Sequence, residues 1–425
     1  MEWTKLERSD AKDWSYRGEG ALNMVLAYNG SSPQFVGKVL RIQKSGREKA
    51  TAQSPLTDLE RLMWKGVTEL ASCKTKEMVD HLYGRLVMGP LLDPSRVDPG
   101  TPVIVSNGFL TAVEQNTNSL RPPWRVAAAR IDPSRCVAFL MSDHSLFPSG
   151  GPCLSVEIKP KCGFLPTSEF VDEKFWFKKT LTRYRMHQLL KLKRKEVSEI
   201  TEYDPLDLFS GEKERIHKAI RDLYETPQNN FRVFLNGSII FGGLGGGRGR
   251  TSTEDTVAFT RELQSFMGEH SESVLEKFIE LVGDTLHICG ALDRLLEVQK
   301  LDKLDIEGAI HAYYNVASGV CSVCSELEDS GKFEGLHSIG ADESMKIVKE
   351  YLIAATAKDC SIMVGFKAGH VEGWPDHITV SDRTFCYKVN YIDLDLKSVA
   401  KMEGYYELDQ KILHNYAQNK PHQYK

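Results

Sequence analysis

The hydrophobic repeat of this chain changes period along its length, and that change restricts the fold more than any other feature. Two apolar, strand-like runs open the chain, residues 21–28 (ALNMVLAY) and 35–42 (FVGKVLRI), with the turn cluster Asn29-Gly30-Ser31-Ser32-Pro33 between them. Residues 55–83 then take helical spacing through Leu59, Leu62, Met63, Trp64, Val67 and Leu70. Strand-like pieces return near 103–106 and 137–141, and a Ser-Gly-Gly-Pro turn occupies 149–152. Beyond it the helical period dominates: the pattern predicts helices over 175–195, 212–225, 257–266, 274–287, 292–300 and 344–357, the last capped by Asp342. Residues 232–241 (RVFLNGSIIF) alternate like a hairpin arm. Residues 361–366 and 387–394 read as two strands joined by a turn-rich hairpin, followed by a terminal helix from about 398. No repeat of 20–50 residues recurs. The expected fold class is α+β: a smaller β-rich N-terminal lobe (1–147) and a larger, mostly helical C-terminal lobe (148–425), with the boundary inside 142–152.

Charge and cysteine content narrow the class of function. A net charge of −4, from 54 basic and 58 acidic side chains, argues against a protein that coats nucleic acid through its overall field. No window approaches the roughly 20 apolar residues of a membrane helix, and the first residues lack the apolar core of a signal peptide. Nine cysteines, an odd number with only Cys321 and Cys324 close together, fit a reducing compartment, cytoplasmic or nuclear. With no coiled-coil or apolar stripe in view, a monomer is expected.

Against that acidic background, residues 157–195 hold eleven basic and four acidic side chains. Arg183, His187 and Lys191 recur at i, i+4, i+8, one face of a helix. Ahead of them Glu157-Ile158-Lys159-Pro160-Lys161 sets two lysines on alternate positions of an extended segment, pointing the same way. A solvated helix face is the plain explanation of such a run; a rigid cationic site for a compact polyanion is the sharper one. Lys397, Lys401 and Tyr405 repeat the i, i+4, i+8 spacing.

Two glycine-rich stretches could meet a phosphate. GGLGGGRGR at 242–250 lacks the Lys-Ser/Thr that ends a P-loop and reads as a surface loop. Arg17-Gly18-Glu19-Gly20 is better placed, because Lys38 follows inside the second apolar run, the layout with which a kinase-type small lobe covers ATP. Any hairpin bearing an exposed lysine also matches. Asp359, at a helix-to-strand junction, and Asp393, after a strand 34 residues later, could serve as acceptor-orienting and Mg²⁺-binding acids or simply as turn residues. His311, Cys321, Cys324 and His337 spell H-x9-C-x2-C-x12-H, four ligands with no water position, which points to structural zinc over two free cysteines.

Eleven segments in order, YRGEGALNMVL, FVGKVLRIQK, RPPWRV, SDHSLF, SVEIKPKCGFLPTS, RMHQLLKL, EYDPLDLFSG, TPQNNFRVFLNG, LDRLLEVQKLDKLDIEGAIH, KEYLIAATAKDCSIM and YIDLDLK, closely resemble the inositol-pentakisphosphate 2-kinase family of the plant type, over about residues 14–416. The resemblance implies a bilobal kinase-like fold and ATP-dependent phosphorylation of the 2-hydroxyl of inositol 1,3,4,5,6-pentakisphosphate to inositol hexakisphosphate. It assigns Arg17, Gly18, Glu19, Gly20, Lys38, Ser142, Asp143, His144, Glu157, Lys159, Asn230 and Arg232 to ATP and Asp393 to Mg²⁺. Arg125, Lys161, Arg183, His187, Lys191, Lys397, Lys401 and Tyr405 fall to the inositol phosphate. Asp359, with Lys159, falls to catalysis, and the two histidines and two cysteines to structural Zn²⁺. Lys401 and Ser142 depart from the family's Arg and Asn; lysine keeps the charge but loses the planar fork, and Ser142 could still offer its backbone to adenine. The alternatives are a broader kinase, and a non-catalytic, zinc-stabilised protein that binds inositol phosphates or nucleic acid.

Overall fold

In the computed structural model, residues 3–20, 22–46, 55–243, 253–269, 273–317, 319–326 and 331–419 are described. The chain is a mixed α and β protein with two sheets and many helices. Among the described residues no helix is long and apolar enough to cross a membrane.

The first sheet has the order β1 (Lys5–Leu6), β5 (Thr101–Val105), β7 (Val137–Ser142), β4 (Lys38–Gly46), β3 (Asn23–Tyr28), β2 (Trp14–Glu19), and β6 (Ala129–Ile131) pairs with the end of β4. Alternation sends Met24, Leu26, Leu40 and Ile42 to one face. There they pack on Phe109, Leu110 and Val113 of helix Asn107–Thr117, whose first turn is capped by Ser106 accepting from the Phe109 amide.

The second sheet is antiparallel, in the order β10 (Ser238–Phe241), β9 (Phe231–Leu235), β8 (Leu154–Ile158), β11 (Ser361–Ala368), β13 (Arg383–Ile392), β12 (His377–Val380). Every residue of β8 is buried, as a central strand covered on both faces requires. The larger core forms around this sheet and takes in Leu56, Met63, Trp64, Leu70, Val79 and Tyr83 as well, so these apolar side chains pack with the C-terminal helices, while His81 stacks on Phe139 of the first sheet.

Several sequence expectations change in detail. The single helix over 175–195 is two pieces, a 3-10 segment Glu173–Lys179 and a helix Arg183–Lys193, because Thr182 caps the second by accepting from the Arg185 amide. Residues 55–83 form three short helices, Asp58–Met63, Thr68–Ala71 and Lys76–Tyr83, the first and third capped by Thr57 and Thr75. Residues 231–241 are a complete hairpin, turning at Asn236-Gly237, where both residues have positive φ. Gly340, not Asp342, is the N-cap of helix Ala341–Asp359. Lys397 precedes the terminal helix and Lys401 ends a 3-10 turn, so Tyr405 alone of those three lies on helix Met402–Gln418. Within the 242–250 glycine run, residues 244–250 lie outside the described residues.

Candidate active site

Strand register gathers the site. Ile158 at the end of β8 pairs with Ile362 and with Phe231, while Ser361 at the start of β11 pairs with Ile392 at the end of β13. Lys159 and Lys161, Asn230, Asp359 and Asp393 therefore all leave the second sheet at one end. The amide of Lys159 donates to the Asn230 carbonyl (2.8 Å), and the Asn230 side chain donates back to the Lys159 carbonyl (3.1 Å). Lys161 and Asp393 both have φ of 63°, a left-handed backbone that non-glycine residues seldom adopt and that concentrates at functional sites.

Asp359 ends its helix between two ammonium groups, Lys397 Nζ at 2.8 Å and Lys161 Nζ at 3.3 Å. Crowding by the protein alone would raise its pKa, but these two lysines hold the carboxyl well below the usual range. Lys159 donates to Asp393 at 3.1 Å. Against the opposing effect of burial, Asp393 and Glu157 raise Lys159 to about 12, and Lys159 with Arg41 keeps Asp393 below its ordinary value. The two aspartates stay 56% and 55% exposed, so protein surrounds them while their oxygens remain open to a ligand.

Lys161, which bonds Asp359, also belongs to a second group of cations on helix Arg183–Lys193. His187 is pushed down to about 3 by burial and by Arg183, Lys191 and Lys161. Lys401 is lowered by burial and then by Lys397 and Lys76, and Lys397 lies beside Tyr405. Cations that depress one another's protonation in the free protein are stabilised when a polyanion arrives. The structure does not bring Arg125 into this group. Its guanidinium stacks on Trp124 (4.0 Å), and burial and then Arg232 and Arg121 lower it, with Glu19 and Tyr16 opposing.

The residues assigned to nucleotide divide. Arg17 bonds Asp143 (2.7 Å) and presses on Gly237, where an added Cβ would lie 2.6 Å from the guanidinium. Arg232 donates to Glu157 (3.1 Å), whose other oxygen accepts from Ser361 (3.0 Å). Arg17, Gly18 and Glu19 belong to β2 itself, and the reversal follows at Gly20, whose amide donates to the Asn23 carbonyl (2.9 Å). The Glu19 side chain is 1% exposed and is consumed by Lys44 and Arg121, which leaves only its backbone to face a ligand. Lys38 donates to the Ser142 hydroxyl at 3.3 Å. The Ser142 amide is already donated to Asp98 (2.7 Å), so that N–H is not free for adenine. His144, lowered to about 4 by burial and Lys388, keeps a buried Nε2 without a hydrogen-bond partner.

Sequence reading missed Arg41 and Asp395. Arg41 points from the face of β4 opposite Leu40 and Ile42 and bonds Asp395, which also accepts from Asn23 (3.0 Å). Asp395 stands two residues after Asp393, the one local signal that could have found it.

The two histidines and two cysteines do converge. Cys324 Sγ lies 3.1 Å from His337 Nε2 and 3.4 Å from His311 Nδ1, Cys321 Sγ 3.5 Å from His311 Nδ1, and the two ring nitrogens are 3.0 Å apart. Asn315 donates from its Nδ2 to the Leu336 carbonyl and the Ser344 hydroxyl, so its oxygen must accept from His337 Nδ1, 2.8 Å away. That leaves the Nε2 lone pair of His337 directed at the cluster. Bonds of about 2.0–2.3 Å in a tetrahedron put ligand atoms about 3.3–3.8 Å apart, close to the spacing found. The donor set fits zinc.

Residues 16–411 match the family described as inositol-pentakisphosphate 2-kinase. The chain is 52% identical to an inositol-pentakisphosphate 2-kinase of Arabidopsis thaliana, with 97% of this chain and 94% of the relative covered. It is 43% identical to one of Oryza sativa subsp. indica (97% and 95% covered) and 28% identical to one of Danio rerio (97% and 94% covered). With the match running nearly from end to end, the chain belongs to the inositol-pentakisphosphate 2-kinase family.

Proposed function

We propose that this protein transfers the γ-phosphate of ATP to the 2-hydroxyl of inositol 1,3,4,5,6-pentakisphosphate, giving ADP and inositol hexakisphosphate, in the cleft of a bilobal, kinase-like fold. The observation that carries the reading is Asp359, an ionised and open carboxylate beside Lys161, Lys397, Lys159 and Lys401, with Lys161 also facing the cluster of His187, Arg183 and Lys191. An acceptor with five phosphates needs such a set of cations, and its free hydroxyl needs one group that takes a proton.

In the resting site Lys161 and Lys397 are spent on Asp359. Substrate phosphates draw those lysines away, and the carboxylate regains basicity as the hydroxyl is set against it. The oxygen–phosphorus bond forms as the bridge to the β-phosphate breaks, and the proton passes to Asp359 late, as a loose transition state allows. Asp393 has one oxygen on Lys159 and the other free, a fit for a hard cation that keeps most of its water. Mg²⁺, when bound, would offset charge on the transferring phosphate. Lys159, Arg232 and Arg17 line the nucleotide side, and Zn²⁺ at His311, Cys321, Cys324 and His337 is structural. Seven free thiols outside that cluster support a reducing compartment, cytoplasmic or nuclear.

The test is transfer of labelled γ-phosphate to inositol pentakisphosphate by wild type and by Asp359→Asn. The variant is expected to lose about 10²–10⁴ in kcat while binding substrate at least as well, since an anion has left a cationic site. A folded, zinc-loaded wild type that transfers nothing would make this a binding protein; a variant at the wild-type rate would remove Asp359 from the chemistry.

A further inference from the structure

Lys178 is buried to 2% exposure, yet its ammonium meets three carboxylates: Asp305 at 2.5 Å, Asp409 at 2.6 Å and Glu307 at 3.0 Å. These come from helices Asp305–Val316 and Met402–Gln418, with Lys178 on the 3-10 segment between Glu173 and Lys179. The cation such a triad calls for is already present as Lys178. Asp305 and Glu307 also sit in the first turn of their helix, where its dipole favours negative charge. Glu307 further accepts the Asp172 amide (2.8 Å). The hub is fully satisfied, and it fixes Asp409.

Asp409 has one more bond to give. Oδ2 accepts from Lys178, and Oδ1 accepts from Nε of Arg183 at 2.7 Å, with the Asp409 side chain 1% exposed. Arg183 is 40% exposed, and its other guanidinium nitrogens have no protein partner among the described residues. The Nε edge of the guanidinium is thus tethered, and Arg183 stands with Lys191 and Lys161 among the cations near enough to His187 to depress it.

We propose that Asp409, held by Lys178, is a positioning residue that aims the Arg183 fork at one phosphate of the bound inositol polyphosphate. This rests on the substrate reading above. An arginine tethered through Nε gives up its rotamer freedom before the ligand arrives, so less is lost on binding, and the free edge keeps the planar geometry that grips a phosphate through two N–H groups. The tether has an electrostatic drawback, because a carboxylate beside an anion site weakens the anion. The sign of the effect therefore separates aiming from charge: if charge alone mattered, removing the Asp409 carboxylate would tighten binding.

The experiment measures inositol pentakisphosphate binding by calorimetry without ATP, and steady-state kinetics with it, for wild type, Asp409→Asn, Arg183→Ala and the double variant. Asp409→Asn is expected to raise Kd and KM for inositol pentakisphosphate about tenfold, the loss of one hydrogen bond to a charged group, and to leave KM for ATP unchanged. In the Arg183→Ala background it should shift Kd less than about twofold. Unchanged or tighter binding by Asp409→Asn overturns the proposal, as does the same tenfold loss without Arg183, which would mean a general structural effect. Should Asp409→Asn not fold, Arg183→Lys, which keeps the charge and gives up the Nε bond, decides the matter: a Kd near that of Arg183→Ala supports aiming, and a wild-type Kd overturns it. Wild type that neither binds nor phosphorylates the substrate fails the substrate reading instead, before any variant is compared.

Discussion

His187 is the group whose charge state should change most during the catalytic cycle. Burial and the cations Arg183, Lys191 and Lys161 keep it neutral at physiological pH, with its pKa down to about 3. A polyanion that engages those cations reverses their effect, so the pKa of the bound state rises and binding takes up a proton. Between pH 8 and pH 6, around the ordinary histidine pKa of about 6.5, affinity for inositol pentakisphosphate is expected to increase as pH falls. Calorimetry in buffers of different ionisation enthalpy should register uptake of up to about one proton, lost in His187→Asn. Equal heats in all buffers would show that His187 stays neutral when ligand is bound. A related sign holds for Glu19, where burial is outweighed by Arg121 and Lys44 and the pKa falls below its model-peptide value. A depressed carboxyl stabilises the fold above its unfolded pKa of about 4.5, and that stabilisation fades as pH drops through the folded value. Glu19→Gln takes the only carboxylate partner of buried Lys44 among the described residues and leaves Arg121 with Glu114 at 3.3 Å, and is expected to cost about 3 kcal/mol in denaturant unfolding at neutral pH, a deficit that shrinks in acid. A deficit independent of pH would mean that the loss comes from packing.

Elements were readable from sequence where one face of a helix does one job. Helices Lys213–Glu225, Val274–Ile288 and Ala291–Gln299 fall within a residue or two of expectation because each lays an apolar stripe on the larger core. The 175–195 segment misled because apolar and basic residues continue in phase across Thr180–Thr182, while the cap that divides it is one hydroxyl. The site was readable in the same uneven way. Arg183, His187 and Lys191 could be placed together because they share one helix, whereas Arg41 with Asp395 and Arg121 with Glu19 are joined across 354 and 102 residues and leave no local trace. The four-ligand cluster lies between these cases, its spacing visible and its Asn315 support hidden. That cluster joins helix Asp305–Val316 to the short helix Glu334–His337. Chelation of the zinc proposed for it, or His337→Ala, is expected to lower Tm by several degrees while kcat of the still-folded protein holds. Loss of kcat at unchanged Tm would give the metal a chemical role.

At the scale of the whole molecule, Arg41 and Asn23 of the first sheet bond Asp395 at the junction with the second, and Arg17 lies against the Gly237 turn. The cationic cluster on one flank of that junction belongs to a chain of net charge −4, so attraction for a polyanion is local and acts over short range. Raising ionic strength from about 0.01 to 0.1 M shortens the screening length from about 30 Å to about 10 Å. The association rate of inositol pentakisphosphate should fall about tenfold over that range, and a rate insensitive to salt in stopped-flow measurements would rule out steering by this cluster. The second sheet, meanwhile, has another end. β11 and β13 run from the Ser361–Ile392 pair beside the aspartates to the Ala368–Phe385 pair, seven residues or about 23 Å away. The connection beyond, through Gly369 and Gly373 at positive φ, folds back and seats Val371 and Trp374 on Phe147 and Cys386, with the Phe147 and Trp374 rings 4.8 Å apart. A fluorescent reporter grafted between 369 and 373 is therefore expected to loosen Trp374 from Phe147 and to lower Tm, and an unchanged melting curve would show that this contact holds nothing in place.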